Sequence, residues 1–357
     1  MNSLVLARIK SEGISRVRTL GLIGAIVLIA MFFQVQNSAF LDPDNLLSLL
    51  RSMTSLAIIA FAGQIVIIQG ELDLSVGAVY LLSGTVLAVL WLGGGALPFT
   101  VPFPLALLAA LAAGALAGLI NGFFTTVVKI PSFIATLGML SIAQGLALLL
   151  SKANGFNPAY NEPPPSSASL TFFDFLGATT LPFNIPIQVL WLAVFFVLFW
   201  LLLHRTTFGS RSYAIGGNAD AAVVARLPIR KYRTLALILC ALMASVAGIM
   251  DFSYSGSIGP SAGLALTFPV FAAIVIGGTA LNGGRGSTFG ALLGALLLAV
   301  LANGLAVMGV SAFVQLVFIG SVTILAVSLD RLSQGGLRMP RRSRVEAPSA
   351  VIEVTEK

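Results

Sequence analysis

The sequence predicts an all-α, polytopic membrane protein with about ten transmembrane helices, and three observations carry that prediction. Charged residues make up 9% of the 357 and hydrophobic residues 57%, where soluble domains have about 25% charged residues. The hydrophobic residues gather in runs of roughly 17 to 25, the helix length that crosses about 30 Å of hydrocarbon. Lysine and arginine flank these runs, where they set orientation.

In order, the spans fall near 20–36, 46–68, 74–92, 103–128, 131–151, 186–203, 233–250, 265–281, 286–308 and 313–329. Residues 1–19 place Arg8, Lys10, Arg16 and Arg18 before the first apolar run, without a small-residue cleavage site leading to a soluble domain. They read as a cytosolic leader. With N- and C-termini cytosolic, only Arg51 and Lys152 of the 20 basic residues lie outside, which requires an even number of spans. The transmembrane permeation domain then covers 20–330, and 331–357 is expected to be a basic, disordered cytosolic tail. The eighth and tenth spans are short and 252–264 is broken, so re-entrant segments would fall there.

Two loops stand out by length. In the external loop 152–185, Pro163, Pro164 and Pro165 exclude helix, and the aromatic cluster after them suits a short helix on the membrane surface. In the cytosolic loop 204–232, Gly216 and Gly217 are expected to break the chain and Asn218 to cap a helix over 219–226, which Pro228 closes. By composition this is either a helix presented to a partner or an ordinary basic connector. Glycines recur four apart at Gly114, Gly118 and Gly122 and at Gly286, Gly290 and Gly294, which marks close helix packing and not ligand sites. The stretches 69–90 and 276–300 loosely echo each other around an inward turn, in the manner of an internal repeat.

What the chain lacks narrows its function. A single cysteine, Cys240, excludes a disulfide framework, and with the single His204 it cannot build a Cys/His metal cluster. The spans offer no nucleophile with its base and no convergent carboxylates, as a membrane enzyme would need. "GGTALNGGRGST" lacks the Lys-Ser/Thr pair of a phosphate loop, and no cofactor is expected. Topology explains the net charge of +7 better than nucleic acid does. The polar groups expected inside the spans are uncharged: Gln64, Asn121, Gln144, Asn303 and Gln315. Each serves as a hydrogen bond between helices or as a contact for cargo. A pathway of such groups suits a neutral hydroxylated solute better than an ion.

Glu71 and Asp73, in "QGELDLSVGAVYLLSG", need a place. About 17 residues separate Arg51 from Gln69, enough to cross the bilayer. Both acids are therefore expected at the cytosolic interface, with Gly70 making the turn and Asp73, assisted by Ser75, capping the third span.

Four stretches now stand in order: "GELDLSVGAVYLLSG", "GLINGFFTTVVKIPSFIATLGMLSIAQGLALLL", "AIGGNADAA" and "IGGTALNGGRGSTFGALLGALLLAVLANGL". Together, from about Ser48 to Asp330, they resemble the permease subunits of ribose-type ABC importers, which serve pentoses, hexoses, polyols and similar solutes. The resemblance implies a ten-span permease of the cell (inner) membrane, paired with a second permease subunit in a homodimer or heterodimer. It implies that an extracytoplasmic binding protein delivers cargo and that cytosolic ATPase subunits supply the energy. It also implies that a short cytosolic helix seats in a groove of the ATPase.

Gly216, Gly217 and Asn218 match the family's Gly-Gly-Asn lead into that helix, and Asp220, Ala221 and Ala222 match its acidic-Ala-Ala core. Small alanines let the helix seat closely, and the acid suits the positive end of the helix dipole. Gly70, Glu71, Asp73 and Ser75 form one inward turn and Gly283, Gly284, Arg285 and Gly286 the other. Two departures stand out. Ala225, Arg226 and Leu227 replace the relatives' Ser-Gly-Ile, and Glu71 replaces a second glycine. The outer loops 37–47 and 251–263, with Asp42, Asp44 and Asp251, are the expected docking surface for a binding protein, unless these acids only solvate the loops. Branched-chain amino-acid permeases are near relatives that would lack the "DLS" and "GGRGS" turns. An ion-coupled secondary transporter would need a charged relay within the spans.

Overall fold

Backbone amides find no partner in hydrocarbon, so a chain of this composition satisfies them within helices. The computed structural model describes residues 2–333 and, among them, has these helices: α1 (Asn2–Gln36), α2 (Pro43–Ile68), α3 (Val76–Leu92), α4 (Phe103–Phe123), α5 (Ser132–Ser151), α6 (Ser167–Gly177), α7 (Ile187–Arg205), α8 (Thr207–Gly217), α9 (Ala219–Val224), α10 (Ile229–Ser255), α11 (Thr267–Ile276), α12 (Thr288–Val307) and α13 (Ala312–Ser333). Seven segments are long and apolar enough to cross a membrane, and three shorter apolar ones lie at Val76–Leu92, Leu264–Ile276 and Ala312–Leu325. The protein is polytopic, and each expected span has its helix.

Helices α2, α3, α10 and α12 form the centre. α2 buries every residue from Met53 to Ile68, and α3 buries nearly all of its own. α10 packs on α4, α2 and α3; α12 packs on α2 and α11; α1 lies on α12, and α13 on α11. The outer helices turn small residues inward and large ones outward. On α4, Ala106, Ala110, Gly114, Ala117 and Gly118 are buried, whereas Leu105, Leu108, Leu116 and Leu119 are exposed. Lipid is as apolar as leucine, so close contact between small residues holds such helices together. The Gly114–Gly118–Gly122 row does this against α10: a Cβ on Gly118 would lie 2.6 Å from the Ile238 Cα and the Leu237 carbonyl oxygen.

Lys129, Arg205, Arg230, Lys231 and Arg233 mark one end of the bundle, the basic end, by their positions at helix ends. At the far end Arg51 lies over the Tyr254 ring, 4.4 Å from its centroid, and donates to its hydroxyl.

Several expectations change. α1 is continuous from Asn2, so the expected leader is helical and runs into the first span; residues 334–357 of the expected tail lie outside the described residues. α10 extends to Ser255, through the start of the stretch read as broken. Beyond Gly256 the chain bridges Phe156 through Ile258 and then dips into the bundle, where Gly263 lies against the Tyr80 ring of α3. α6 is capped by Ser166, whose Oγ accepts from the Ser169 N–H. It does not simply lie on the surface: Phe173 is buried among Trp91, Phe103 and Phe252. Gly216 and Gly217 do not break the chain but form the last turn of α8, a helix that the glycine-rich sequence concealed.

Candidate functional site

At the basic end two inward turns and α8–α9 interlock. The first turn begins at Gly70, whose φ of 79° only glycine adopts freely. Glu71 follows, its Oε1 paired with Arg233 Nη1 at 2.7 Å. The chain then runs extended back into the bundle. There α5 supplies the acceptors that a helix would have supplied, Ser132 Oγ for the Leu72 N–H and Thr136 Oγ1 for the Leu74 N–H, each at 3.0 Å.

This path moves Asp73. It does not sit at the interface: it is 3% exposed, beside the Cys240 thiol, which lies three turns into α10, about 16 Å from its start. α3 has only 17 residues, about 25 Å, so the extended residues 71–75, roughly 16 Å, must supply the rest of the crossing. Asp73 Oδ1 accepts from the Ser75 N–H at 2.9 Å and from its hydroxyl at 2.6 Å, at the start of α3. Glu71 alone stays at the basic end.

The second turn, residues 277–287, uses positive φ at Gly278, Gly283 and Gly284. The Gly284 N–H donates to the Ile68 carbonyl at 2.8 Å, which joins the two turns. Gly216 of α8 fits between them: a Cβ there would collide with the Ile68 carbonyl oxygen and lie 2.7 Å from Gly284 N. Tyr213 donates to the Gly286 carbonyl at 2.8 Å, and burial pushes its phenol up to about 12. Gln69 donates to Ser212 Oγ at 2.9 Å. α8 thus holds both turns at once, with Arg285 exposed beside it.

α9 follows directly. Asn218 Oδ1 accepts from the Ala221 N–H at 2.9 Å, as its cap, and Asp220 stands in the first turn. Ala222 faces inward, into a small core with Ile215 and Tyr232 that Phe208, Leu227 and Ile229 complete. Phe208 stacks on Tyr232, and Arg211 donates to the Tyr232 hydroxyl at 2.7 Å. So Ala222 packs against this chain, whereas Ala221 is exposed. Val223 and Val224 are 63% and 85% exposed. Nothing in the sequence singles out these two valines; their exposure depends on which side of α9 the small core takes.

The other candidates separate. Gln64 donates to Thr288 Oγ1, Asn121 to Ser75 Oγ, and Asn303 exchanges two amide bonds with Asn45, so these three tie helix to helix. Gln315 donates to the Val310 carbonyl, and Gln144 is half-buried on α5. Asp42 and Asp44 are exposed at the far end. Asp251 is not a loop acid: it lies on α10, its carboxylate taken by the hydroxyls of Ser55 and Tyr80. With Asp73 it also corrects the expectation of uncharged span interiors. Among the described residues no group of His, Cys, Asp and Glu is arranged to hold a metal.

Over residues 45–327 the chain matches the family described as branched-chain amino acid transport system / permease component. It is 36% identical to the ribose import permease protein RbsC of Bacillus subtilis (strain 168), covering 91% of this chain and 95% of that protein. To RbsC of Escherichia coli (strain K12) it is 33% identical, with coverage of 88% and 93%. To the xylose transport system permease protein XylH of the same strain it is 31% identical, with coverage of 90% and 94%. A match of this length, over a helical bundle with this many membrane spans, admits one conclusion: the chain belongs to this family of permease components and is a multi-pass membrane transport subunit, not an enzyme.

Proposed function

We propose that the chain is the permease subunit of an ABC importer for a sugar or sugar-like polyol, receiving its solute from an extracytoplasmic binding protein and driven by separate cytosolic ATPase subunits. It works beside a second permease subunit, and its basic end faces the cytosol. The observation that carries this reading is α9, a capped helix outside the membrane with exposed Val223 and Val224, rigidly joined through α8 to both inward turns. A partner that closes on α9 moves α8 and, through Gly216 and Tyr213, the ends of α2 and α12. Asp220 at the helix start and exposed Ala221 fit a groove in such a partner, while Ala222 keeps the helix on its base.

The relatives named for ribose and xylose support a sugar-like cargo for this chain. Exposed Asp42 and Asp44 remain for the binding protein; Asp251 does not. The buried Asp73 and Asp251 give an ion-coupled transporter its best argument. Hydroxyls, however, take both oxygens of Asp251 and one of Asp73, whose Oδ2 is buried without a partner, and that reading leaves α9 without a task.

Reconstitution with the candidate ATPase and binding protein, with uptake followed in the presence and absence of ATP, tests the proposal. Uptake is expected to require ATP; transport driven by an ion gradient alone would refute it. Asp220→Lys and Ala221→Trp are expected to insert normally yet lose ATP-driven uptake, and normal uptake in both would remove α9 from this role.

A further inference from the structure

A cavity of about 360 Å³ opens at the basic end between the close of α4, the loop into α5 and the first turns of α10. Lys129, Arg230 and Arg233 line it, against the single carboxylate of Glu71, which Arg233 already neutralises at 2.7 Å. Lys129 and Arg230 are exposed and, among the described residues, have no ion-pair partner. Two further donors of the lining are buried without an acceptor, the Thr125 hydroxyl and Arg233 Nε–H. The unpaired charges of the lining, Lys129 and Arg230, are both cations, so the complementary ligand is an anion rich in acceptor oxygens.

The backbone is shaped to this end. α4 closes in a π-helical turn, Phe124–Val128, an arrangement frequent at functional sites. After it Lys129 takes φ 67°, a left-handed conformation that lysine seldom adopts. Next to the lining residues in sequence, Phe123, Phe124, Val127, Val128, Phe133 and Ile134 are exposed, an apolar surface of the kind that acyl chains cover.

We propose that this cavity is a binding site for a phosphate ester, with the exposed apolar residues beside its lining selecting the headgroup of an anionic phospholipid over a soluble ester. Such a site stands whether or not the chain imports a sugar.

The test takes the full chain in detergent micelles and counts bound species by native mass spectrometry. Dioleoylphosphatidylglycerol, dioleoylphosphatidylcholine and inorganic phosphate are titrated separately. Lys129→Asn/Arg230→Gln removes both free charges, and asparagine tolerates the left-handed backbone. Phosphatidylglycerol is expected to bind one site per chain and to bind the double variant roughly 25-fold more weakly, about fivefold per cation. Phosphatidylcholine is expected not to distinguish the two proteins. Inorganic phosphate that binds with the same loss in the variant supports the phosphate site with a soluble ester as its natural source. Phosphatidylglycerol binding unchanged by the substitutions, or no binding of either anion, overturns the proposal. Should the double variant misfold, Thr125→Val keeps every charge and the side-chain shape; unchanged anion binding in it overturns the proposal as well.

Discussion

Glu71 follows the Gly70 turn at the basic end, and Arg233 is its counterpart. Arg233 stands on α10 just beyond α9, so their ion pair ties the first inward turn to the helix that α9 feeds. Partly solvated pairs contribute little, and Glu71→Gln is expected to cost about 1 kcal/mol. The swap Glu71→Arg/Arg233→Glu is expected to recover most of it, read as melting temperature in one detergent. Tyr213 gives a pH signature. Its folded phenol titrates near 12, above the usual value near 10, because burial disfavours the phenolate. Between those values the folded state keeps a proton that the unfolded state has shed, so the contribution of Tyr213 is complete below about pH 10 and is lost toward pH 12. The melting temperature of Tyr213→Phe is expected to fall less steeply across that window than that of the parent.

Glycines on the helices act by what lies opposite them. Gly118 of α4 faces the backbone of α10, which cannot yield as a flexible side chain would. Gly118→Ala is expected to destabilise by about 1–3 kcal/mol through overpacking. A Cβ on Gly138 of α5 would meet no other atom of this chain within 4 Å. Gly138→Ala is expected to be neutral or stabilising by up to about 1 kcal/mol, since alanine favours helix. Equal losses in the two variants would contradict the packing read from the structure. The same logic makes Gly216 the tightest point of the α8 contact, where any Cβ meets the Ile68 carbonyl.

For the whole molecule, the charge distribution assigns the sides. Lys129, Arg230, Lys231 and Arg233 gather at one end with α9, and Arg51 and Lys152 lie at the other. In a Cys240→Ala background, which removes the one native thiol, a membrane-impermeant maleimide is expected to label Asp44→Cys on intact cells. It is expected to label Val224→Cys only after permeabilisation. The reverse pattern would invert the topology and with it the assignment of α9 to the cytosol.

Composition and the spacing of apolar runs determined by themselves that this is a helical membrane protein, and nearly where each span lies, because hydrocarbon leaves the backbone no alternative to helix. The Asn218 cap likewise announced α9, since capping is local chemistry among adjacent residues, but the helix ends at Val224, before Arg226 at φ 55°, and Pro228 opens α10 instead of closing α9. The tertiary structure alone decided the depth of Asp73, because a five-residue extended segment carries no periodicity and its amides depend on hydroxyls some sixty residues away. It alone decided that Asp251 is bound inside the bundle and that Ala222 packs on its own chain. It also brought Gly216, Ile68 and Gly284 to one point, where the two inward turns meet. Contacts between distant segments are set by which helix faces meet, and helices that are apolar on every side do not declare those faces in sequence.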